Sequence, residues 1–316
     1  MFHGGSQNLE RIRSKRFAEN VAPRLWLYNQ VMGFGGKVMK TRGIAFQGEH
    51  GAYSEEAIRQ HFGAETDTVP CKTISEVFNL TETGEVQHGV VPVENSIEGS
   101  VHETYDSLIT SSTKIAGEIV LRVVHCLIAL PSTTISDVKV IYSHPQALAQ
   151  CRGHLASLGV EVKVSYDTAG SVKMIRDGRM KDAAAVASMG AAQIYEMGVL
   201  RQGIEDYGHN YTRFLVMSLK ETERAPTCKT SVIFSVPHMP GSLYASLETF
   251  ATHGVNLTKI ESRPTRQRPW EYYFFLDFEG HRDEAAQKEA LRELVKRTTF
   301  LKVLGSYPRA RPEQPQ

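Results

Sequence analysis

From position 42 onward the chain alternates short apolar runs with amphipathic stretches, and this alternation constrains its fold more than any other property. Runs at 42–47, 68–71, 88–93, 138–142, 160–164, 183–187 and 212–218 are short, largely apolar and bounded by turn residues, as buried strands are. Between them, 55–61, 75–84, 101–111, 147–158, 168–176 and 189–197 read as helices, and a branched stretch at 114–130 reads as strands. Strands and helices alternating at these lengths build α/β layers with largely parallel strands. In such layers ligands bind in the polar loops at the carboxyl ends of strands. Two cycles of comparable size, divided at Pro131, predict two lobes with a cleft between them.

A second unit follows the linker at 221–228, which contains Pro226. Here the order is strand 230–236, helix 242–253 closed by Gly254, strands 255–261 and 272–278, helix 284–297 and strand 301–307. This βαββαβ succession is the ferredoxin-like, α+β arrangement. The expected division is an extension at 1–41, a bilobed α/β domain at 42–222, the βαββαβ domain at 229–309 and a flexible tail at 310–316.

Charge separates the extension from the rest. The net charge is +1, yet residues 1–42 carry +6 and the remainder −5. That near balance excludes a duplex-wrapping basic protein, and no apolar run is long enough to cross a bilayer, so neither nucleic acid nor membrane is an expected partner. The basic stretch has only Ser6 and Ser14, fewer serines than a transit peptide carries, and no continuous apolar core of a secretory signal. It reads as a loosely docked extension, with organelle targeting or an over-extended reading frame as alternatives, and a cytoplasmic location is expected. Cys71, Cys126, Cys151 and Cys228 match no CxxC or zinc spacing and read as reduced thiols. The histidines form neither HxxxH nor HExxH, so no metal or other cofactor is called for.

The cleft loops supply neutral hydrogen-bonding side chains: Asn95, Ser96, Ser143, Gln146, Thr168, Ser188 and Thr212, with Arg213 beside them. No Ser/His/Asp order, P-loop or dinucleotide glycine pattern is present. Such a set suits an anionic small molecule held by hydroxyls, amides and helix N-termini, with an arginine fixing one carboxylate.

Several blocks then resemble, in order, the prephenate dehydratase family with a C-terminal ACT domain. They are FQGEHGAYSEEA (46–57), VPVENSIEGSV (91–101), SHPQAL (143–148), DTAGSVKMI (167–175), AAVAS (184–188), HNYTRFLVM (209–217) and GSLYASLETFATHGVNLTKIESRP (241–264). His50 stands where the family commonly has proline, and Ser242 replaces the usual alanine of the GALY/GALV pattern.

The resemblance implies a bilobed, periplasmic-binding-protein-like catalytic domain and decarboxylating dehydration of prephenate to phenylpyruvate in phenylalanine synthesis, without a cofactor. It implies Thr212 as the catalytic group, donating a proton to the departing hydroxyl, and Arg213 as a carboxylate ligand. Asn95, Ser96, Ser143, Gln146, Thr168 and Ser188 would complete the pocket, with Phe214 packing beside it. Glu94 is expected to order its loop, and Glu98 to contact substrate or cap the helix before Val101. In the ACT domain, Gly241, Ser242, Leu243 and Tyr244 would take L-phenylalanine as effector, with Glu261, Ser262 and Arg263 across a homodimer or homotetramer interface. The alternatives are the same chemistry on L-arogenate, and a non-catalytic amino-acid sensor.

Overall fold

The computed structural model describes residues 43–310 apart from 267. The extension expected at 1–41 lies outside the described residues, as does the tail beyond Ala310.

The first lobe is a six-stranded sheet with helices against it. Strands β1 (Ile44–Gln47), β2 (Thr68–Cys71) and β3 (His88–Asn95) run parallel, joined by helices α1 (Tyr53–Phe62) and α2 (Ile74–Glu82). The two-residue β4 (Gly99–Ser100) folds back on β3, and α3 (His102–Thr110) leads into β5 (Lys114–Arg122). The chain then crosses to the second lobe. There β6 (Cys126–Ala129), β7 (Val140–Ser143), α4 (Pro145–Gln150), α5 (Arg152–Leu158), β8 (Glu161–Val164), α6 (Thr168–Asp177), β9 (Ala183–Ala187), α7 (Met189–Ile194) and β10 (Gly198–Gln202) follow. It returns as β11 (Tyr211–Ser218), inserted between β3 and β5 and antiparallel to both.

The strand orders are β2-β1-β3-β11-β5 and β10-β6-β9-β7-β8. The bilobed α/β reading is borne out, but the sheets are mixed rather than largely parallel. The reason is the double crossing. A strand that arrives from the other lobe enters from the opposite end, so β11 runs against β3 and β5, and β6 runs against β9. Strand β10 was not foreseen: it pairs only with β6 and alternates half-buried with exposed residues, so it lacks the apolar run of a buried strand.

The C-terminal domain follows the expected βαββαβ order: β12 (Cys228–Ser235), α8 (Ser242–Thr252), β13 (Leu257–Pro264), β14 (Tyr272–Glu279), α9 (Ala285–Arg297) and β15 (Phe300–Pro308). Its antiparallel sheet has the order β13-β14-β12-β15. Strand alternation assigns its two faces. Val232 and Phe234 of β12 pack with Phe250, Ala290 and Leu294 of α8 and α9, whereas Ile233 joins Phe275, Leu304 and Tyr307 in a core shared with Val91, Val93, Leu215 and Met217 of the first lobe. The contact is close at one point: a Cβ on Gly305 would stand 2.2 Å from the Ile115 carbonyl oxygen. Only glycine lets the two backbones approach so nearly. On the other face of β11, Phe214 and Val216 belong to a core that runs through both lobes, with Ile58, Ile128, Val172 and Ala185. Strand β11 therefore has one face toward the waist between the lobes and one toward the C-terminal domain.

Candidate active site

A β-bulge brings the central pair together. Thr212 is opposite Asn95 and Arg213 is opposite Glu94, but Phe214 is opposite Pro92, so Val93 is one residue more than β11 can pair. Val91 and Val93 both face the C-terminal domain. Strict alternation would send Asn95 to that side too. The extra residue breaks the alternation and turns Asn95 to the Thr212 side, the re-aiming that bulges provide. Pro92 has no N–H to offer a ladder, so the irregularity falls where pairing is already weakened. The Val93 carbonyl accepts the Val101 N–H at 2.9 Å, from the residue that follows β4.

The orientation of Asn95 is set by backbone. Its Oδ1 accepts the Ile97 and Glu98 N–H groups at 2.9 and 3.0 Å. Its Nδ2 must then be the end that donates to Asn210 Oδ1 at 2.7 Å and to Thr212 Oγ1 at 3.0 Å. Thr212 thus receives a hydrogen bond on its oxygen, and among the described residues no acceptor takes its proton. From Asn210 the network continues: Asn210 Nδ2 donates to Gln150 Oε1 at 2.8 Å. The sequence reading missed Gln150 and Asn210. A signal for each existed: Gln150 lies one helical turn beyond Gln146, and Asn210 lies two residues before Thr212.

The remaining cleft residues divide by what their polar groups already do. The Ser143 hydroxyl is fully buried and donates to the Val186 carbonyl at 2.6 Å, tying β7 to β9. Ser188 caps α7 by accepting the Ala191 N–H at 3.0 Å, and donates to the Gly51 carbonyl at 2.6 Å. Each serine has one proton, and a carbonyl takes it in both cases, so the donor role expected of Ser143 and Ser188 gives way to a wall-building one. Ser96 donates to the His209 carbonyl and accepts the Tyr211 N–H, both at 2.9 Å, which clips the loop after β3 to the start of β11. Thr168 is the first residue of α6 and half-buried, with Asp167 as N-cap through Gly170 N–H. Gln146 is half-buried in the first turn of α4. Phe214 is buried and packs, as expected.

The loop after β1 is built around Glu55. Its carboxylate takes the Gly51 N–H at 2.6 Å, the Thr68 hydroxyl at 2.7 Å, and His50 and Arg59 at 3.0 Å each. Burial pushes its pKa up, but these four donors outweigh burial and hold it below the usual carboxylate value. His50, in the place of the family's proline, contributes one of them. Gly51 has φ +87, and a Cβ there would meet Ala191 Cα at 2.6 Å, so the loop lies directly against the start of α7. Lys173 of α6 pairs with Glu49 of the same loop at 3.0 Å.

Arg213 points the other way. Its guanidinium lies on the face toward the C-terminal domain, 2.7 Å from Asp277 and 3.2 Å from Glu118 through Nη1. Glu94 stands 2.6 Å from Nε, off the N–H direction, an ionic rather than a hydrogen-bonded contact. Burial opposes its charge, but these carboxylates, Asp277 first, more than offset that and raise its pKa. The expectation that Arg213 fixes a substrate carboxylate has no support in this geometry, because one residue along a strand reverses the face. Around it, Lys229 pairs with Glu118 at 2.8 Å and Lys259 with Glu94. Glu94 thus joins β3 to β11 and the C-terminal domain, and the loop after it is held by Asn95 Oδ1 instead.

The effector residues expected in the C-terminal domain also separate. Glu261 accepts the Ser100 hydroxyl at 2.7 Å and Arg263 pairs with Asp106 at 3.2 Å, so both side chains engage the first lobe. Ser262 between them is exposed. Gly241, in the left-handed region at φ 81, caps α8. A cavity of about 170 Å³ adjoins it, lined by Val236, Met239, Ser242, Leu243, Trp270 and Phe274 among others. Tyr244 is exposed at 71%. All four cysteines are buried and unpaired. Among the described residues no group of side chains could hold a metal ion, and no helix is long and apolar enough to cross a membrane.

Comparison with known proteins gives this geometry its context. Residues 44–222 match the prephenate dehydratase family and residues 230–296 the ACT domain. The bifunctional chorismate mutase/prephenate dehydratase of Aquifex aeolicus is 43% identical over 288 residues, covering 90% of this chain and 78% of that protein. The chloroplastic arogenate dehydratase/prephenate dehydratase 2 of Arabidopsis thaliana is 41% identical, covering 84% and 72%. Among solved structures, the prephenate dehydratase of Arthrobacter aurescens in complex with L-Phe is 32% identical with a TM-score of 0.78, covering 84% of this chain and 90% of that one. A structure described as a novel type of quorum quenching acylase is 36% identical, also with a TM-score of 0.78, covering 84% and 98%. The chain carries that family's motifs on the bilobed fold that sets Thr212 against Asn95, followed by an ACT domain, and it belongs to the prephenate dehydratase family of lyases.

Proposed function

We propose that this chain converts prephenate to phenylpyruvate, releasing CO2 and water, and that L-phenylalanine regulates it through the ACT domain. The observation that carries the reading is the Thr212 hydroxyl, which accepts from Asn95 Nδ2 at 3.0 Å and keeps its own proton to give. In prephenate the ring carboxylate departs as CO2 and leaves its bonding electrons to the ring, while the ring hydroxyl departs as water once protonated. Thr212 supplies that proton and the Asn95 amide supports the oxygen left behind. Threonine is a weak acid, but aromatisation in the same step lowers the demand on it. The two substrate carboxylates fall to Gln146 and Thr168, both half-buried at helix starts, while Ser96, whose proton goes to the His209 carbonyl, holds the loop after β3. Ser143, Ser188 and Phe214 shape the wall.

The acylase description of one structural relative would ask for an activated nucleophile. Among the described residues no base lies within hydrogen-bond reach of Thr212, which favours dehydration.

Prephenate is favoured over arogenate by charge. An ammonium group would need a carboxylate held in the cleft, whereas Glu49 pairs with Lys173, Asp167 caps α6, Glu55 is held by four donors, Glu94 faces the ACT domain and Glu98, in the loop after β3, is exposed to solvent. Side-by-side turnover is expected to give a kcat/KM for prephenate at least about tenfold above that for arogenate. The reverse order would make the chain an arogenate dehydratase, and turnover of neither would leave the sensor reading.

The proposed effector site is the cavity beside Gly241, Ser242 and Leu243, with a second copy of the ACT domain completing it in a homo-oligomer. L-Phenylalanine at millimolar concentration is expected to inhibit turnover and to alter the sedimentation profile of the full chain. A flat activity curve over that range would remove the regulatory part of the proposal.

A further inference from the structure

The hydrogen-bond network that starts at Asn95 does not end at Gln150. Gln150 Oε1 also lies 2.8 Å from His125 Nε2, and His125 Nδ1 lies 2.8 Å from the Tyr53 hydroxyl. Both residues stand at the junction of the lobes. His125 is 2% exposed and occupies the outgoing crossing between β5 and β6, while Tyr53 begins α1 in the first lobe. The return crossing is tied to the outgoing one. The His125 carbonyl accepts the Gly203 N–H at 2.9 Å, the His125 N–H donates to Glu205 at 2.9 Å, and Val123 N–H donates to the Asn210 carbonyl at 2.8 Å.

The direction of every bond in this chain follows from its first link. Backbone N–H groups fix Asn95 Oδ1, so Nδ2 donates to Asn210 Oδ1. Asn210 must then present Nδ2 to Gln150, and Gln150 must present Oε1. An oxygen can only accept, so His125 must carry its proton on Nε2. Burial lowers the His125 pKa, although Gln150 and the Glu205 carboxylate oppose this, and a neutral ring with Nε2–H has a bare Nδ1. The Tyr53 hydroxyl then donates to that nitrogen in preference to the Val124 carbonyl at 3.0 Å.

We infer that His125 and Tyr53 are positioning residues for Thr212: they form one arm of a hydrogen-bond network, crossing both lobes, whose two arms converge on Gln150 Oε1 and that holds Gln150, Asn210 and Asn95 so that Thr212 accepts from Asn95 and keeps its proton for the leaving group. This inference rests on Thr212 as proton donor. Without His125, Gln150 Oε1 loses one of its two donors and the amide gains freedom to turn, which would present Nε2 to Asn210, turn Asn210 in response and set its Nδ2 against the Asn95 Nδ2 that the backbone holds in place. The site then remains assembled but the Asn95 amide is pushed off Thr212.

The test combines kinetics with nitrogen NMR on the full chain. His125→Phe, which keeps an aromatic ring and removes both nitrogens, is expected to lower kcat about tenfold or more while KM stays within about threefold. His125→Gln, which can return an N–H to Gln150 Oε1, is expected to recover most of the loss. In a Thr212→Ala background His125→Phe should have no further effect on kcat, because the chain acts through that hydroxyl. Equal losses in both His125 variants, a KM effect alone, or full additivity with Thr212→Ala would overturn the positioning role. The ring 15N shifts of His125 in the unmodified protein are expected to show Nε2 protonated and Nδ1 bare at neutral pH. A proton on Nδ1 alone would overturn the chain's direction even if every variant folds poorly. That readout does not depend on Thr212, so a failure of the proton-donor reading and a failure of the chain are seen separately.

Discussion

Thr212→Ala is expected to lower kcat for the dehydration by at least about a hundredfold, with KM changed by no more than about threefold and the fold intact. The alanine removes a half-buried hydroxyl whose one hydrogen bond within the described protein is the one it accepts from Asn95. Asn95 retains its bonds to the Ile97 and Glu98 N–H groups and to Asn210, so the loop after β3 keeps its shape. The loss therefore reports the missing proton and not a collapsed site. Thr212→Ser restores the hydroxyl and should restore most of the rate. Near-normal turnover in the alanine variant, measured with the melting temperature as control, would remove Thr212 from the mechanism and with it the proposed chemistry.

Arg213→Met should act on a different quantity. Removing this guanidinium deprives Asp277 of its ionic partner and weakens the compensation of Glu118 and Glu94, all on the face shared with the ACT domain. Breaking a buried ion pair by deleting one partner costs about 3–5 kcal/mol, because the remaining charge is left in a poor solvent. The lower end applies, since Lys229 and Lys259 still reach Glu118 and Glu94, and Ser231 donates to Asp277. The expected result is a loss of about 3 kcal/mol in denaturant unfolding, with KM for prephenate raised less than about tenfold at temperatures where the variant is folded. If Arg213 instead held a substrate carboxylate, KM would rise by far more and stability would change little. Arg213→Lys should rescue only in part, because a single ammonium cannot span three carboxylates as a planar guanidinium does.

Much of this architecture was legible in the sequence because it rests on local pattern. The strand and helix alternation, the βαββαβ order and the polar loops after strands all follow from the period of apolar residues. What escaped depends on where strands pair. That β11 inserts antiparallel between β3 and β5 cannot be read from its own residues, since a buried central strand looks the same in either direction. The face on which Arg213 sits depends on the same pairing. Thr212 and Arg213 are neighbours in sequence, which suggests a shared function, yet strand geometry puts them on opposite sides of a sheet. Tyr53, His125 and Gln150 escaped for another reason. Each is an ordinary polar residue in its own segment, and only the crossing of the lobes stacks them into one line with Asn210. The serines were legible as site residues but not in their role, because which carbonyl takes a hydroxyl proton is a fact of packing: Val186 for Ser143, and Gly51 for Ser188.

Val93 shows how the Thr212–Asn95 pair depends on counting. Its side chain lies in an apolar core where another aliphatic group of similar size would serve, but its presence shifts every residue after it by one place relative to β11. Were Val93 paired in the ladder instead of bulged out of it, the acid Glu94 would stand opposite Thr212 and the amide would fall beyond the pair. The Thr212–Asn95 pairing is thus indifferent to much of what β3 is made of and dependent on which of its residues is left unpaired. A register slip that drew Val93 back into the ladder would keep the strands paired and yet take the amide away from Thr212.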